Sequence, residues 1–172
     1  REKCRALGLG CDIIPKVELD GVTVSSTHLR ALLKDGKMEE AVRFLGHGHI
    51  ISGIVQHGDS RGHTLGLPTA NLALDASLLV PAFGVYGGWA DAGELGRFPA
   101  AVNLGVHPTV HELPHPVAEA SLLGFDGDLY GRFLRLELLF QVRPERQFSS
   151  LQELTAQIAR DQQTVFHRLT GV

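Results

Sequence analysis

Glycine and proline interrupt the middle of this chain every few residues, so any regular secondary structure there has to be short. The sequence of 172 residues holds 20 glycines and 8 prolines, and most of them fall between residues 46 and 131. Glycines at such short intervals indicate frequent tight turns. Long helices are therefore not expected in this region, and a series of short strands is predicted instead.

The clearest of these strands is predicted over residues 133–143. Apolar side chains occupy every second position from Leu134 to Val142, and mainly charged or polar side chains lie between them. This alternation is typical of a half-buried strand. Further strands are predicted over residues 50–57, 84–90, 99–104 and 117–125. Five or six short strands without long helices between them favour an antiparallel barrel or a sandwich.

Residues 1–45 are predicted to form a short strand that leads into two small helices. Ser25, Ser26 and Thr27 precede the first apolar run at helical spacing, and a hydroxyl side chain at that place is a typical N-cap. Together with Arg30, the same residues would also suit an anion site, because free N–H groups at a helix start favour phosphate. Capping and phosphate binding both remain open at this point.

The end of the chain changes to helical periodicity. Ser150 and Glu153 form a capping box in front of an amphipathic helix over about residues 150–169. Asp161 falls on the apolar stripe of this helix. A carboxylate on such a stripe is costly unless it has a partner, so we expect it to lie at the stripe edge and meet water or an arginine.

Charge and hydropathy exclude several classes of protein. The formal net charge is −3, so the strongly basic surface of a nucleic-acid-binding protein is absent. No apolar run approaches the ~18 residues of a membrane span, and no secretory signal is visible at the start. Cys4 and Cys11 lie too close together to staple a framework and favour a reducing compartment. We expect a cytoplasmic protein with small-molecule partners.

Three features of the β-rich region are candidates for chemistry. The first is the loop 58–66, in which Gly58, Gly62 and Gly66 surround Arg61. Glycines let the backbone approach an anion closely and turn its N–H groups towards it. The Gly-Lys-Ser/Thr sequence of a Walker A loop is missing after it, and the alternative interpretation is an ordinary hairpin loop.

The second feature is the pair Thr69 and Asn71, which comes directly after Pro68. Residues two apart in an extended stretch point to the same side. A hydroxyl and an amide oxygen are neutral oxygen ligands, which suit Mg²⁺ when phosphates and waters complete its shell. The alternative is that Asn71 and Thr69 only begin a strand after a turn.

The third feature is Glu119, for which two registers of the predicted strand are open. In one, Glu119 shares an apolar face with Val117, Leu123 and Phe125, and a carboxylate there would need a partner or a task. In the other, Glu119 faces outward while alanines at 118 and 120 turn inward. A positioned carboxylate is a candidate general base, but periodicity alone does not choose between the two registers.

Taken together, these segments resemble the riboflavin kinase family over residues 46–172. The resemblance is carried by the order and spacing of the segments 58–66, 68–71, 81–86, 103–109, 118–119 and 125–131, of Arg143 and Phe148, and of the helical segment 157–161. It implies a mainly β fold, a six-stranded antiparallel Greek-key barrel closed by the C-terminal helix. It also implies transfer of the γ-phosphoryl group of ATP to the 5′-hydroxyl of riboflavin, giving FMN and ADP.

The resemblance assigns expected roles to individual residues. It implies that Glu119 is the general base, that Thr69 and Asn71 hold Mg²⁺, and that Arg143 and Asp161 contact the flavin. The residues implied to bind ATP are Gly58, Arg61, Gly62, Gly66, Thr69 and Asn71.

Residues 1–45 resemble the end of the adenylyltransferase domain of bacterial bifunctional riboflavin kinase/FAD synthetases. The resemblance implies that Ser25, Ser26, Thr27 and Arg30 would hold ATP phosphates there. The HxGH-type nucleotide-binding motif expected at the start of such a domain is missing from this sequence. We therefore expect residues 1–45 to be a remnant that does not transfer adenylyl groups alone.

The chain departs from the family pattern at several positions, namely His28, 47–49, His63, Ser121, Gly124 and Pro144. Because of these departures, a non-catalytic flavin- or nucleotide-binding module remains an alternative. A second alternative is that the chain is one part of a full bifunctional enzyme. Intact Thr69, Asn71 and Glu119 favour a kinase.

Overall fold

A computed structural model of the chain describes residues 1–56, 69–75, 77–107 and 115–172. It begins with a short helix α1 (Glu2–Ala6), which the sequence did not predict, and with a hairpin of β1 (Glu18–Leu19) and β2 (Val22–Thr23). This hairpin stands where a single short strand was predicted. Asp20 and Gly21 form the turn, with φ of 52° and 76°, as a two-residue turn with positive φ at both central positions requires.

Two helices come next, α2 (Ser26–Lys34) and α3 (Met38–Leu45). Gly46 ends α3 in the left-handed conformation with φ 74°, which a residue without Cβ adopts at little cost. Leu33 and Met38 are buried in the same core cluster as residues of the later strands, and the backbone N–H of Ala82 donates to the Leu33 carbonyl at 2.9 Å. The division between residues 45 and 46 stays a prediction, but α2 and α3 share the core of the β-rich region.

Six antiparallel strands then close into a barrel in the spatial order β3-β4-β7-β6-β5-β8. They are β3 (His49–Gln56), β4 (Ala70–Ala73), β5 (Gly84–Asp91), β6 (Arg97–His107), β7 (His115–Leu122) and β8 (Phe133–Pro144). Strands β5, β6 and β7 pair in sequence, and β8 returns to lie beside β5, which is the Greek-key arrangement. The barrel predicted from the family resemblance is confirmed.

Two register shifts between β5 and β8 change which side chains of β8 face the barrel core. Leu134, Leu136 and Leu138 lie in the core as predicted. Between the two shifts the predicted alternation is wrong, because the bulge after Leu138 inserts one extra residue and reverses the faces, and the second bulge restores the predicted outer face at Arg143. Phe140 consequently packs with Val165 of the C-terminal helix in a second cluster.

The C-terminal helix α4 (Leu151–Thr170) packs on the outside of β5, β6 and β8. Its predicted capping box is half-formed. The Ser150 hydroxyl accepts from the Glu153 N–H at 3.1 Å, but the Glu153 carboxylate accepts from the N–H and hydroxyl of Ser149. These hydrogen bonds hold the pKa of Glu153 below its ordinary value. No helix in the described part of the chain is long and apolar enough to cross a bilayer.

Candidate functional site

Three polar side chains form one lateral row across neighbouring strands of the barrel. Asn71 of β4 lies directly opposite Glu119 of β7, and Glu119 lies directly opposite Asn103 of β6. Adjacent strands lie ~4.8 Å apart, so the row is compact. Beyond Asn103 it continues through Val85 of β5 to Arg143 of β8.

This row lies on the outer face of the barrel. The chain neighbours Leu72, Ala118 and Leu104 are fully buried in the barrel core. Since successive side chains of a strand point to opposite faces, Asn71, Glu119 and Asn103 point outward. Asn71 and Glu119 are half-buried, whereas Asn103 is exposed.

Glu119 therefore adopts the second of the two registers open in the sequence. Ala118 and Ala120 are fully buried, so the carboxylate does not enter the core. The predicted strand ends at Leu122 rather than at residue 125, because the chain turns at Gly124 with φ 84°. Glu119 therefore shares no strand face with Leu123. Its half-burial and its position beside Asn71 keep it in the candidate site.

Thr69 and Asn71 are brought together at the start of β4. The Asn71 amide nitrogen donates to the Thr69 carbonyl at 3.5 Å, a long contact that turns the amide oxygen away from that carbonyl. Within the described ranges, neither the Thr69 hydroxyl nor the Asn71 amide oxygen forms a hydrogen bond. Two half-buried neutral oxygens that can still accept are a donor set that fits Mg²⁺ shared with phosphates.

The described residues hold no cluster of three or more His, Cys, Asp or Glu side chains that could bind a metal ion. Gly58, Arg61, Gly62 and Gly66 lie outside the described residues. The predicted phosphate loop therefore stays a prediction.

An ion pair joins the far end of the row to α4. Arg143 Nε donates to Asp161 Oδ2 at 2.9 Å, and Gln157 Nε2 donates to Asp161 Oδ1 at 2.8 Å. Asp161 is 4% exposed, so the expected arginine partner is found but the expected position at the stripe edge is wrong. Both carboxylate oxygens already accept hydrogen bonds, so the role of Asp161 is to hold the Arg143 side chain in place.

The Arg143 guanidinium is held from several sides. Besides the bond to Asp161, its Nη1 donates to the Pro144 carbonyl at 3.2 Å, and the aromatic ring of Phe148 lies 5.4 Å from its Cζ. Within the described residues, Nη2 forms no hydrogen bond. The free Nη2 edge belongs to a side chain that is only 17% exposed. This leaves a rigid donor at the end of the row.

At the start of α2, the capping interpretation is confirmed. Ser25 is extended, and its hydroxyl accepts from the His28 N–H at 3.2 Å. Ser26, Thr27 and Arg30 line the same helix start, and Arg30 is exposed. Capping by Ser25 does not test the phosphate interpretation, which stays a prediction for these four residues.

Asn103 is a member of the row to which the sequence alone assigned no role. The segment 103–109 is one of those that carry the family resemblance, but no role was predicted for Asn103 itself. A usable signal was present, since Asn103 stands between Val102 and Leu104, and a polar residue between two apolar ones marks the face away from the core. Its position beside Glu119 requires the pairing of β6 with β7, which alternation within one strand does not give.

Comparison with known proteins identifies the family of the chain. A family model described as "Flavokinase: Riboflavin kinase" matches residues 45–169. A protein named bifunctional riboflavin kinase/FMN adenylyltransferase from Bacillus subtilis is 38% identical over 90% of this chain and 49% of its own length. The protein of that name from Escherichia coli is 42% identical over 84% of this chain and 45% of its own length. The chain thus spans about half the length of these curated relatives.

Two solved structures are also similar. A riboflavin kinase from Trypanosoma brucei aligns with a TM-score of 0.53 and 28% identity, over 72% of this chain and 80% of that one. A Streptococcus pneumoniae chain described as a macrolide-efflux protein aligns with a TM-score of 0.80 and 31% identity, over 89% of this chain and 50% of that one. The efflux description differs from the family model and from the names of the curated relatives, which agree with one another.

Proposed function

Because this chain belongs to the riboflavin kinase family, we propose that it transfers the γ-phosphoryl group of ATP to the 5′-hydroxyl of riboflavin. The hydroxyl oxygen forms a bond to the γ-phosphorus, the bond to the β,γ-bridging oxygen breaks, and FMN and ADP are released. The observation that carries the assignment is the direct pairing of Glu119 with Asn71 on the outer face of the barrel.

Glu119 is proposed to accept the proton of the riboflavin hydroxyl as the oxygen attacks phosphorus. A base positioned in this way contributes about 10²–10⁴ in rate. Its strand partner on one side is Asn71 and on the other Asn103, so the carboxylate lies between a proposed nucleotide-side residue and an exposed amide. This order supports placing the acceptor alcohol over β6 and β7 and the nucleotide over β4.

Thr69 and Asn71 are proposed to hold Mg²⁺ together with the phosphates of ATP. When bound, the ion neutralises phosphate charge and helps to orient the in-line displacement. The chain's own contribution is to fix these two side chains at the start of β4, close to Glu119. The proposed covering of the phosphates by Gly58, Arg61, Gly62 and Gly66 rests on the sequence.

Arg143 is proposed to contact the flavin with its free Nη2 edge, and Asp161 to support that contact from behind. Arg143 lies in the same lateral row as Glu119, with Val85 and Asn103 between them. Three strand spacings of ~4.8 Å separate Arg143 from Glu119. That span suits a substrate whose reactive alcohol and ring system lie at opposite ends.

The experiment that tests this function is incubation of the purified chain with ATP, MgCl₂ and riboflavin, followed by chromatography of the flavins. The proposal expects FMN and ADP in equal amounts, and no FMN when ATP is left out or when EDTA removes the metal. A non-catalytic flavin-binding module would bind riboflavin and form no FMN, which would refute the proposal.

A second activity, FMN adenylyl transfer, is proposed only for a longer protein that contains this chain. The names of the curated relatives favour it, with Ser25, Ser26, Thr27 and Arg30 as the proposed phosphate contacts. The same chromatography detects FAD, and we expect none from residues 1–172 alone. A cytoplasmic location, favoured by the free thiols of Cys4 and Cys11, belongs to the same proposal.

A further inference from the structure

Asn103 is an exposed amide placed directly beside the proposed base. It is the strand partner of Glu119 on the side opposite Asn71, and it points outward because Val102 and Leu104 fill the core. Within the described residues, its side chain forms no hydrogen bond. An amide beside a half-buried carboxylate is thus available to bind a ligand.

Gly105 lies two residues further along the same face and is buried. Its φ is not in the left-handed region, and among the described residues a Cβ built there meets Glu145 Oε1 at 3.5 Å and Asn103 Nδ2 at 3.9 Å. These are ordinary van der Waals distances, so alanine fits. A glycine inside a strand without a steric need for it marks a place where another group approaches the backbone closely.

We propose that Asn103 and Gly105 form the acceptor subsite of the kinase, in which Asn103 binds the hydroxyl next to the one that Glu119 deprotonates. This inference rests on the proposed function and adds a specificity-determining residue to it. The substrate class it selects is a polyol chain with a terminal primary alcohol and a vicinal secondary alcohol. For riboflavin, the bound group is the 4′-hydroxyl, and Gly105 leaves room for the carbon chain.

The chemistry of the amide fits this role. Asparagine offers an acceptor oxygen and two N–H donors, so it can bind a hydroxyl group in either sense. Donation from the 4′-hydroxyl to Asn103, or the reverse, restrains rotation of the terminal carbon and keeps the 5′-oxygen at Glu119. A site built to bind a hydroxyl group discriminates strongly against an analogue that lacks it.

The test compares two substrates with two proteins. The wild-type chain and Asn103→Ala are assayed with riboflavin and with 4′-deoxyriboflavin, and kcat/KM is measured at saturating ATP. We expect kcat/KM of the wild type to be roughly tenfold lower with the deoxy analogue than with riboflavin. We expect kcat/KM of Asn103→Ala with riboflavin to be roughly tenfold lower than that of the wild type. For Asn103→Ala, kcat/KM should be the same with both substrates, because the substitution and the missing hydroxyl remove the same hydrogen bond. KM for ATP should stay within about twofold of the wild-type value.

Two further variants separate this role from a structural one. Gly105→Ala should fold with wild-type stability, since its described neighbours leave space for the methyl group, yet raise KM for riboflavin. Gln163→Ala removes another exposed amide, on the solvent side of α4, and should behave as the wild type with both substrates.

The inference is overturned if Asn103→Ala still discriminates between the two flavins as the wild type does, or if Gly105→Ala leaves KM for riboflavin unchanged. These outcomes differ from failure of the proposed function. That failure would appear as absence of FMN with the wild-type chain and riboflavin. Wild-type FMN formation with an indifferent Asn103 would refute only the acceptor subsite.

Discussion

Arg143 and Asp161 form a largely buried ion pair between β8 and α4, with 2.9 Å between Nε and Oδ2 and with side-chain exposures of 17% and 5%. Removing one partner of such a pair leaves an uncompensated charge and costs ~3–5 kcal/mol. We expect Asp161→Ala to lower the free energy of unfolding by about 3 kcal/mol, measured by urea denaturation. The double replacement Arg143→Met with Asp161→Leu should recover most of that loss. A double variant as unstable as Asp161→Ala would show that the charges themselves stabilise the helix contact.

The two replacements also separate stability from flavin binding. The double variant lacks the guanidinium proposed to contact the flavin, so we expect it to be folded but to bind riboflavin at least about fivefold more weakly, in line with one lost hydrogen bond from a charged donor. Riboflavin fluorescence quenching measures the affinity. Wild-type affinity in the folded double variant would remove Arg143 from the flavin site.

At Gly88, the backbone of β8 leaves no room for a side chain on β5. A Cβ at Gly88 would overlap the Glu137 carbonyl oxygen, so the backbone would have to shift. We expect Gly88→Ala to destabilise the barrel by about 3 kcal/mol or more, the upper range for overpacking. Gly53→Ala on β3 is the matched control, because its nearest neighbour would be 3.6 Å away. Equal thermal midpoints for the two variants would contradict the close approach at the bulge.

His49 makes the stability of the fold sensitive to mild acid. Burial lowers the pKa of His49 below its ordinary value, against the opposing effect of the hydrogen bond to the Leu79 carbonyl. The unfolded chain therefore binds this proton at a higher pH than the folded chain does. The stability of the fold with neutral His49 is fully present above the pKa of histidine in the unfolded chain, about 6.5. Part of this free energy of unfolding is lost as the pH falls below that value.

The matched variant for this prediction is His49→Gln, which keeps a donor near the Leu79 carbonyl and does not titrate. We expect urea unfolding midpoints of the wild type to fall more between pH 7.5 and 5.5 than those of His49→Gln. Parallel pH dependences would show that protonation of His49 does not oppose folding.

Helices α2 and α3 should be required by the barrel, whereas residues 1–24 should not. Leu32, Leu33, Met38 and Ala41 are buried in the barrel's cluster, and no residue of 1–24 is buried. Exposing each of the leucine and methionine side chains costs ~1.5–3 kcal/mol. We expect a chain that starts at residue 25 to keep a cooperative unfolding transition, and a chain that starts at residue 46 to lose it. Cooperative unfolding of the shorter chain would place its stability in the barrel alone.

The sequence predicted most of the fold because its signals are local. Alternation predicted β8, short segments between turn signals predicted four more of the six barrel strands, and hydroxyl caps predicted the starts of α2 and α4. The face of Phe140 was predicted wrongly because bulges depend on the partner strand, here β5. Closure of the barrel came from the family resemblance rather than from periodicity, since alternating strands suit a sandwich equally well.

In the candidate site, too, the residue types could be predicted from the sequence, but the neighbours across the sheet could not. The residue types of Thr69, Asn71 and Glu119 indicated their possible chemistry. The direction of Glu119 stayed open because both faces of its strand are apolar. Strand pairing decides it, since Ala118 and Ala120 fill the core and Glu119 lies opposite Asn71 and Asn103. Asn103 was missed for this reason, because its neighbour across the sheet is far away in the sequence.

The most direct test of the proposed mechanism is the single-turnover rate of phosphoryl transfer in Glu119→Gln, measured by rapid quench with riboflavin bound and ATP in excess. Glutamine keeps the shape of the side chain but does not accept the proton. We predict riboflavin affinity within about twofold of wild type and a rate lower by about 10²–10⁴, with Glu94→Gln at an exposed turn as the unaffected control. A wild-type rate in Glu119→Gln would contradict the assignment of Glu119 as the base.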